Sequence, residues 1–181
     1  MKEKKSKLTR TLEIPEEVTV ELEGNTFKIK GPKGELVRTL SNPLVSYEVS
    51  DSITVSCLNM KKSKRIMNTF ISHIQNMIRG VTDGFIYQLK ICSGHFPMNV
   101  SKEGNKIVIK NFLGEKVPRE AKLLEGVEAQ IEQDTIEISG SSIELVGQTA
   151  ANLEQATKIR NRDRRRFQDG IFITSKGGDA S

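Results

Sequence analysis

The chain has no tryptophan, two cysteines, two histidines, five prolines and only 5% aromatic residues in 181. Each shortage excludes something. Cys57 and Cys92 cannot make a disulfide framework, so the composition points to a reducing cytosolic compartment. No apolar run approaches the roughly 20 residues of a membrane-spanning helix. The charged N-terminus leads into Leu12-Glu13-Ile14-Pro15 without an apolar signal segment, so no membrane partner is expected. Catalytic sets are equally scarce. Cys92-Ser-Gly-His95 is half of a zinc site, and no second Cys-x-x-Cys or His pair completes a tetrahedral set. His73 sits beside an apolar helical stripe, where a packed or half-exposed histidine is expected, and no serine has nucleophile-elbow spacing. The expectation is a protein that is not an enzyme and needs no cofactor or metal.

What the chain does have is positive charge in patches. The formal net charge is +5. Lys2, Lys4, Lys5, Lys7 and Arg10 stand against Glu3 alone at the N-terminus. Near the other end, Lys158, Arg160, Arg162, Arg164, Arg165 and Arg166 fill six of nine positions, opposed only by Asp163. Such a cluster repels itself unless a polyanion neutralises it, and arginine suits bidentate phosphate contact. A charge run is usually a solvated tail. This one is followed by Phe167, a Gln168-Asp169-Gly170 turn and a strand-like Ile171-Phe172-Ile173, so it reads as a placed surface for nucleic acid.

The chain also repeats itself. Val20–Val37 aligned on Val100–Val117, an offset of 80, gives nine identities in 18 positions. Gly24-Asn25 and Gly104-Asn105 lie between alternating segments, as hairpin turns do. A second echo pairs Asp51–Ser56 with Asp134–Ser139, and a helical pattern follows each. In the first helix Ile66, Met67, Phe70, Ile71, Ile74, Met77, Ile78 and Val81 recur at helical spacing, a core stripe rather than a Met-rich binding groove. Lys61, Lys62, Lys64 and Arg65 load its first turns, where the helix dipole disfavours cations. Ser141-Ser142-Ile143-Glu144 is a candidate capping box for the second, with Ile143, Val146, Ala150, Leu153 and Thr157 toward a sheet. Gly31-Pro-Lys-Gly34 matches the G-x-x-G of KH modules, but that loop joins two helices and this one lies between strand patterns, so it reads as a β-turn.

These patterns predict an α+β fold of two tandem duplicated domains, each a small, mostly antiparallel β-sheet packed against one long α-helix. The expected limits are 1–82 with a basic N-terminal arm, 83–173, and a polar tail at 174–181. Domains of this size have only marginal cores of their own.

The segment from Gly147 to Ile173, G-Q-T-A-A-N-L-E-Q-A-T-K-I-R-N-R-D-R-R-R-F-Q-D-G-I-F-I, closely resembles the C-terminal signature of large-subunit ribosomal protein six in its archaeal and eukaryotic form. So do His95-Phe-Pro-Met-Asn-Val100 and the segment from Ile109 to Arg119. The duplicated layout resembles that family over nearly the whole chain. The Lys- and Gly-rich C-terminal motif of the bacterial branch is missing, and the short length and bare C-terminus resemble archaeal members. The resemblance implies a structural constituent of the large ribosomal subunit, cytoplasmic on the ribosome. It would bind large-subunit rRNA chiefly through the second domain, near the sarcin–ricin loop and the stalk base. Neighbouring ribosomal proteins at the stalk base and translational GTPases docking nearby would be its partners. Carried onto this sequence, the RNA-binding positions are Gln148, Asn152, Lys158, Arg160, Arg162, Arg164, Arg165, Arg166 and Lys176. Arg162 paired with Asp163, and Phe167 packed rather than stacked on a base, are the bland readings within that set. The basic run alone fits a free RNA-binding or RNA-chaperone module equally well.

Overall fold

The computed structural model describes residues 7–58, 60–163 and 165–178. Two compact units meet at the Asp83/Gly84 bond, one residue beyond the expected boundary. The shift follows from local structure, because Thr82 ends the first helix and Asp83 caps it, its N–H donating to Arg79 O at 2.8 Å.

Among the described residues of the first unit six strands precede one helix: β1 (Lys7–Glu13), β2 (Thr19–Glu23), β3 (Thr26–Gly31), β4 (Gly34–Thr39), β5 (Val45–Val49), β6 (Ser52–Leu58) and α1 (Lys61–Thr82). The second repeats the order with β7 (Phe85–Cys92), β8 (Asn99–Glu103), β9 (Lys106–Lys110), β10 (Arg119–Lys122), β11 (Val127–Glu132), β12 (Thr135–Gly140) and α2 (Ile143–Ala156). It then adds β13 (Gly170–Gly178). The fold is α+β and duplicated, with the antiparallel strands of each unit divided over two sheets. Their orders are β1-β6-β5 and β2-β3-β4, then β10-β9-β8 and β11-β12-β7-β13. The sequence echoes map as expected, since β2–β3 matches β8–β9 and β6 matches β12. Gly24 and Gly104 open the two-residue hairpins at φ 62° and 61°, a conformation in which any Cβ is strained.

Each helix buries the expected face. Met67, Ile71, Ile74, Met77 and Val81 of α1 lie in a core with Phe27, Ile29, Ile53 and Val55, and His73 is half-buried beside it. Val146, Ala150 and Leu153 of α2 pack with Leu89, Ile107, Ile136, Ile138 and Ile171. The cations that open α1 are exposed, and its first turn has neither an acidic residue nor a side-chain cap. The α2 cap differs from the candidate box. Ser142 is the N-cap and accepts from Leu145 N at 3.5 Å, so Glu144 falls one position short of the box partner.

The Gly31–Gly34 turn is confirmed as a hairpin joining β3 and β4, and the structure explains its first glycine. A Cβ at Gly31 would come within 2.7 Å of the Val81 side chain and 2.8 Å of its carbonyl oxygen. Lys33 N also donates to Val81 O at 2.8 Å. The turn is thus fastened to the last turn of α1. Its counterpart, Asn111 to Gly114, forms a 3₁₀ turn instead, and Asn111 takes φ 61°. The helix of that unit has 14 residues against the 22 of α1.

Two expectations are corrected here. Residues 174–178, expected in a polar tail, belong to β13, which pairs with β7 through two register irregularities; Thr174 Oγ1 also donates to Gln88 O at 3.0 Å. The RNA-binding positions carried onto the sequence imply the polar face and end of the second helix, but α2 stops at Ala156 and the described residues of 158–169 form an irregular loop leading to β13.

Candidate nucleic-acid interface

The loop between α2 and β13 has no counterpart in the first unit, and the two features come together: an added edge strand and an arginine-rich connection to it. Six like charges in a short loop favour an extended, solvated chain. This loop is held from several sides. Thr157, 3% exposed, accepts a hydrogen bond from Ile171 N at 2.9 Å and so ties the end of α2 to β13. Arg119 Nη1 donates to Ala156 O at 2.8 Å and to Lys158 O at 3.2 Å, placing a cation on the carbonyls that the helix leaves unpaired. Glu115 orients it by accepting from Nε at 2.8 Å and Nη2 at 2.6 Å, and its guanidinium lies 4.2 Å from the Phe112 ring centroid. The Arg119 hydrogen bond, against the opposing effect of burial, holds the Glu115 carboxyl below its ordinary value.

At the far end of the loop Asp169 is 3% exposed. Its Oδ1 accepts from Gly94 N at 2.6 Å and His95 N at 2.9 Å, and its Oδ2 accepts from His95 Nδ1 at 2.6 Å. Burial pushes its pKa up, but the His95 and Gly94 hydrogen bonds outweigh burial and the net shift is downward from 3.8. The His95 ring stacks on Phe167 with centroids 4.8 Å apart, and the Arg162 guanidinium lies over the same Phe167 ring at 5.0 Å. Phe167 is therefore packed, as expected. Asp163 pairs with Arg165 through contacts at 3.0 and 3.2 Å, and not with Arg162, because the local turn leaves Arg162 to the aromatic stack.

Of the expected RNA-binding residues, Lys158, Arg165 and Arg166 come together on one cleft of 1070 Å³. Arg160 and Arg162 are exposed on the same loop but do not line it. Gln148 and Asn152 lie one turn apart on α2, and Gln148 Nε2 donates to Asn152 Oδ1 at 2.9 Å. Lys176 is exposed on β13, away from the cleft lining. Arg164 lies outside the described residues. Lys158, Arg160 and Arg166 make no side-chain hydrogen bond or ion pair among the described residues, which leaves their charge available to an external anion. No group of three or more His, Cys, Asp or Glu among the described residues is placed to hold a metal, and His95 of the half zinc site is committed to Asp169.

Sequence reasoning missed the residues that hold the loop: Arg119, Thr157, Asp169 and the positioning role of His95. One signal was present, since His95 and Arg119 stand in the two resembling segments upstream of the basic run.

Comparison with known proteins follows the same layout. The family model for ribosomal protein L6 matches residues 14–84 and again 96–170, one match for each unit. The chain belongs to the ribosomal protein L6 family. That family is one of structural rather than catalytic proteins. The second L6 match runs through the whole arginine loop and ends at the first residue of β13. The chain is 46% identical over 169 residues to the large ribosomal subunit protein uL6 of Methanococcus vannielii, covering 92% of this chain and 93% of that protein. It is 47% identical over 174 residues to the uL6 protein of Archaeoglobus fulgidus, covering 92% of this chain and 89% of that one. Both relatives are archaeal, which agrees with the branch read from the motifs.

Proposed function

We propose that this chain is a structural constituent of the large ribosomal subunit, cytoplasmic on the ribosome, that binds large-subunit rRNA through its second repeat, from Gly84 through β13. The observation that carries the reading is the loop of cations fixed by Asp169, Arg119 and Thr157 while Lys158, Arg160 and Arg166 make no side-chain hydrogen bond or ion pair among the described residues. A solvated tail needs none of that fastening. The names of the uL6 relatives supply the subunit. Gln148, Asn152, Lys158, Arg160, Arg162, Arg164, Arg165, Arg166 and Lys176 make the contacts in this reading. Arg162 and Arg165 contribute with part of their charge already engaged. The site lies near the sarcin–ricin loop and the stalk base, beside neighbouring ribosomal proteins and the docking region of translational GTPases. Contact is to phosphates, 2′-hydroxyls and shape.

The test is sedimentation of the tagged chain from cells, followed by crosslinking within intact subunits. Stoichiometric residence in the large subunit, with crosslinks from the 158–166 loop to the sarcin–ricin region, is expected. A mobile pool outside the subunit would favour a free RNA-binding module.

A further inference from the structure

The cleft beside the arginine loop is built for more than phosphate. Its cationic side consists of Lys158, Arg165 and Arg166, whereas Ile159, Phe167 and Phe172 line it with apolar surface. All three apolar residues are half-buried rather than sealed in the core. Gln155 and Gln168, both exposed, add amide groups that can donate to and accept from a base edge. A surface that follows only the backbone of a duplex has no use for an apolar concavity, which leaves carbon exposed to water until something covers it. A volume of 1070 Å³ is just above the range of small-ligand sites, which run from about 300 to 1,000 Å³. It is ample for a base with its sugar and phosphate. The walls are preformed. Asp169 fixes the Gly94–His95 segment, His95 holds the Phe167 ring, and Thr157 holds the start of β13.

The geometry points to a site for an unstacked nucleotide of an RNA chain, its base against Phe172 and Ile159 and its flanking phosphates on Lys158 and Arg166. This rests on the RNA-binding reading and adds that the RNA element is a loop or bulge with a base free to leave its stack. Single-stranded bases are recognised in this way, by aromatic and apolar faces below and cations at the backbone.

The experiment is a methyl and aromatic NMR titration of the full chain with a short single-stranded RNA, the same RNA as a duplex, adenosine monophosphate and inorganic phosphate. The single strand should move the Ile159 methyl signals upfield by the ring current of the base, and the duplex and inorganic phosphate should not. Phe172→Leu, which keeps an apolar side chain in β13, should weaken single-strand binding roughly 5- to 150-fold while leaving the salt slope unchanged. Arg166→Gln should lower the slope by about one. Ile159→Ala, on the loop, repeats the affinity test if Phe172→Leu does not fold. Bound RNA with no upfield shift, or unchanged affinity in the folded variants, would overturn the nucleotide site and leave the ribosomal reading standing. Shifts from adenosine monophosphate as large as those from RNA would also overturn it, assigning the cleft to a free nucleotide. Loss of residence in the large subunit is the separate failure of the ribosomal reading.

Discussion

Asp169 decides more about the arginine loop than any single arginine. It is a buried carboxylate that pairs with no arginine of the loop among the described residues and instead holds Gly94 and His95 in place. Asp169→Asn gives a test by sign. If charge alone governs affinity, losing a negative charge tightens RNA binding; if positioning governs, binding weakens several-fold despite the added positive charge. The expected result is weakening, measured on an rRNA fragment, with a stability loss of about 1–2 kcal/mol at neutral pH. Because the folded carboxyl titrates below 3.8, its contribution is present above that value and is lost as pH falls through the lower folded value. The difference in melting temperature between wild type and Asp169→Asn should therefore shrink below about pH 4. Tyr47 tests the opposite limb. Its hydroxyl is buried without a hydrogen-bond partner among the described residues, and burial pushes its pKa from 10.0 to about 12. Stability is full below pH 10 and falls as pH rises toward 12. Tyr47→Phe should remove that alkaline loss and leave neutral-pH stability unchanged or raised by up to about 1 kcal/mol in thermal melts. The ring itself stays packed edge-on to Phe27 at 5.0 Å.

Among the elements, the turn between β3 and β4 and the end of α2 show how one repeat was specialised in two ways. In the first unit the long α1 reaches the turn, and Gly31 is required because Val81 occupies the space of a side chain. Gly31→Ala should cost about 1–3 kcal/mol in chemical denaturation, the usual penalty for overpacking. The reading as a β-turn is right, but sequence alone offered no reason for the glycine, because Val81 lies 50 residues away. In the second unit Arg119 closes the end of α2. Arg119→Lys keeps the charge but not the fork that spans Glu115 and two carbonyls. It should lower rRNA affinity with the salt slope unchanged, since Arg119 is a positioning residue that touches no phosphate in this reading.

Considered whole, the molecule is one α+β unit used twice, with the arginine-rich loop and β13 added to the second copy. Six phosphates neutralised by the loop and its surroundings give a slope of log affinity against log salt of roughly −4 to −5. Binding of the full chain to its rRNA fragment across a salt series measures it, and a slope near zero would remove the electrostatic account. Joint replacement of Arg164, Arg165 and Arg166 should weaken binding far more than joint replacement of Lys61, Lys62 and Lys64. Those lysines sit exposed on α1.

Sequence alone determined what depends on local pattern. The duplication, the hairpins at Gly24 and Gly104, the core stripe of α1 and the position of the basic run all follow from spacing of two or 3.6 residues or from direct repetition. It also located the run among residues that resemble a ribosomal family. Tertiary structure alone decided where the helix stops and what the run becomes. Asp169 reaches back to Gly94 and His95, and Arg119 reaches forward to Ala156 and Lys158. These contacts join segments 37 to 75 residues apart, so no local pattern records them. They act because a buried carboxylate and a half-buried guanidinium must find partners, and the partners they find are the backbone groups that would otherwise let the arginines swing free.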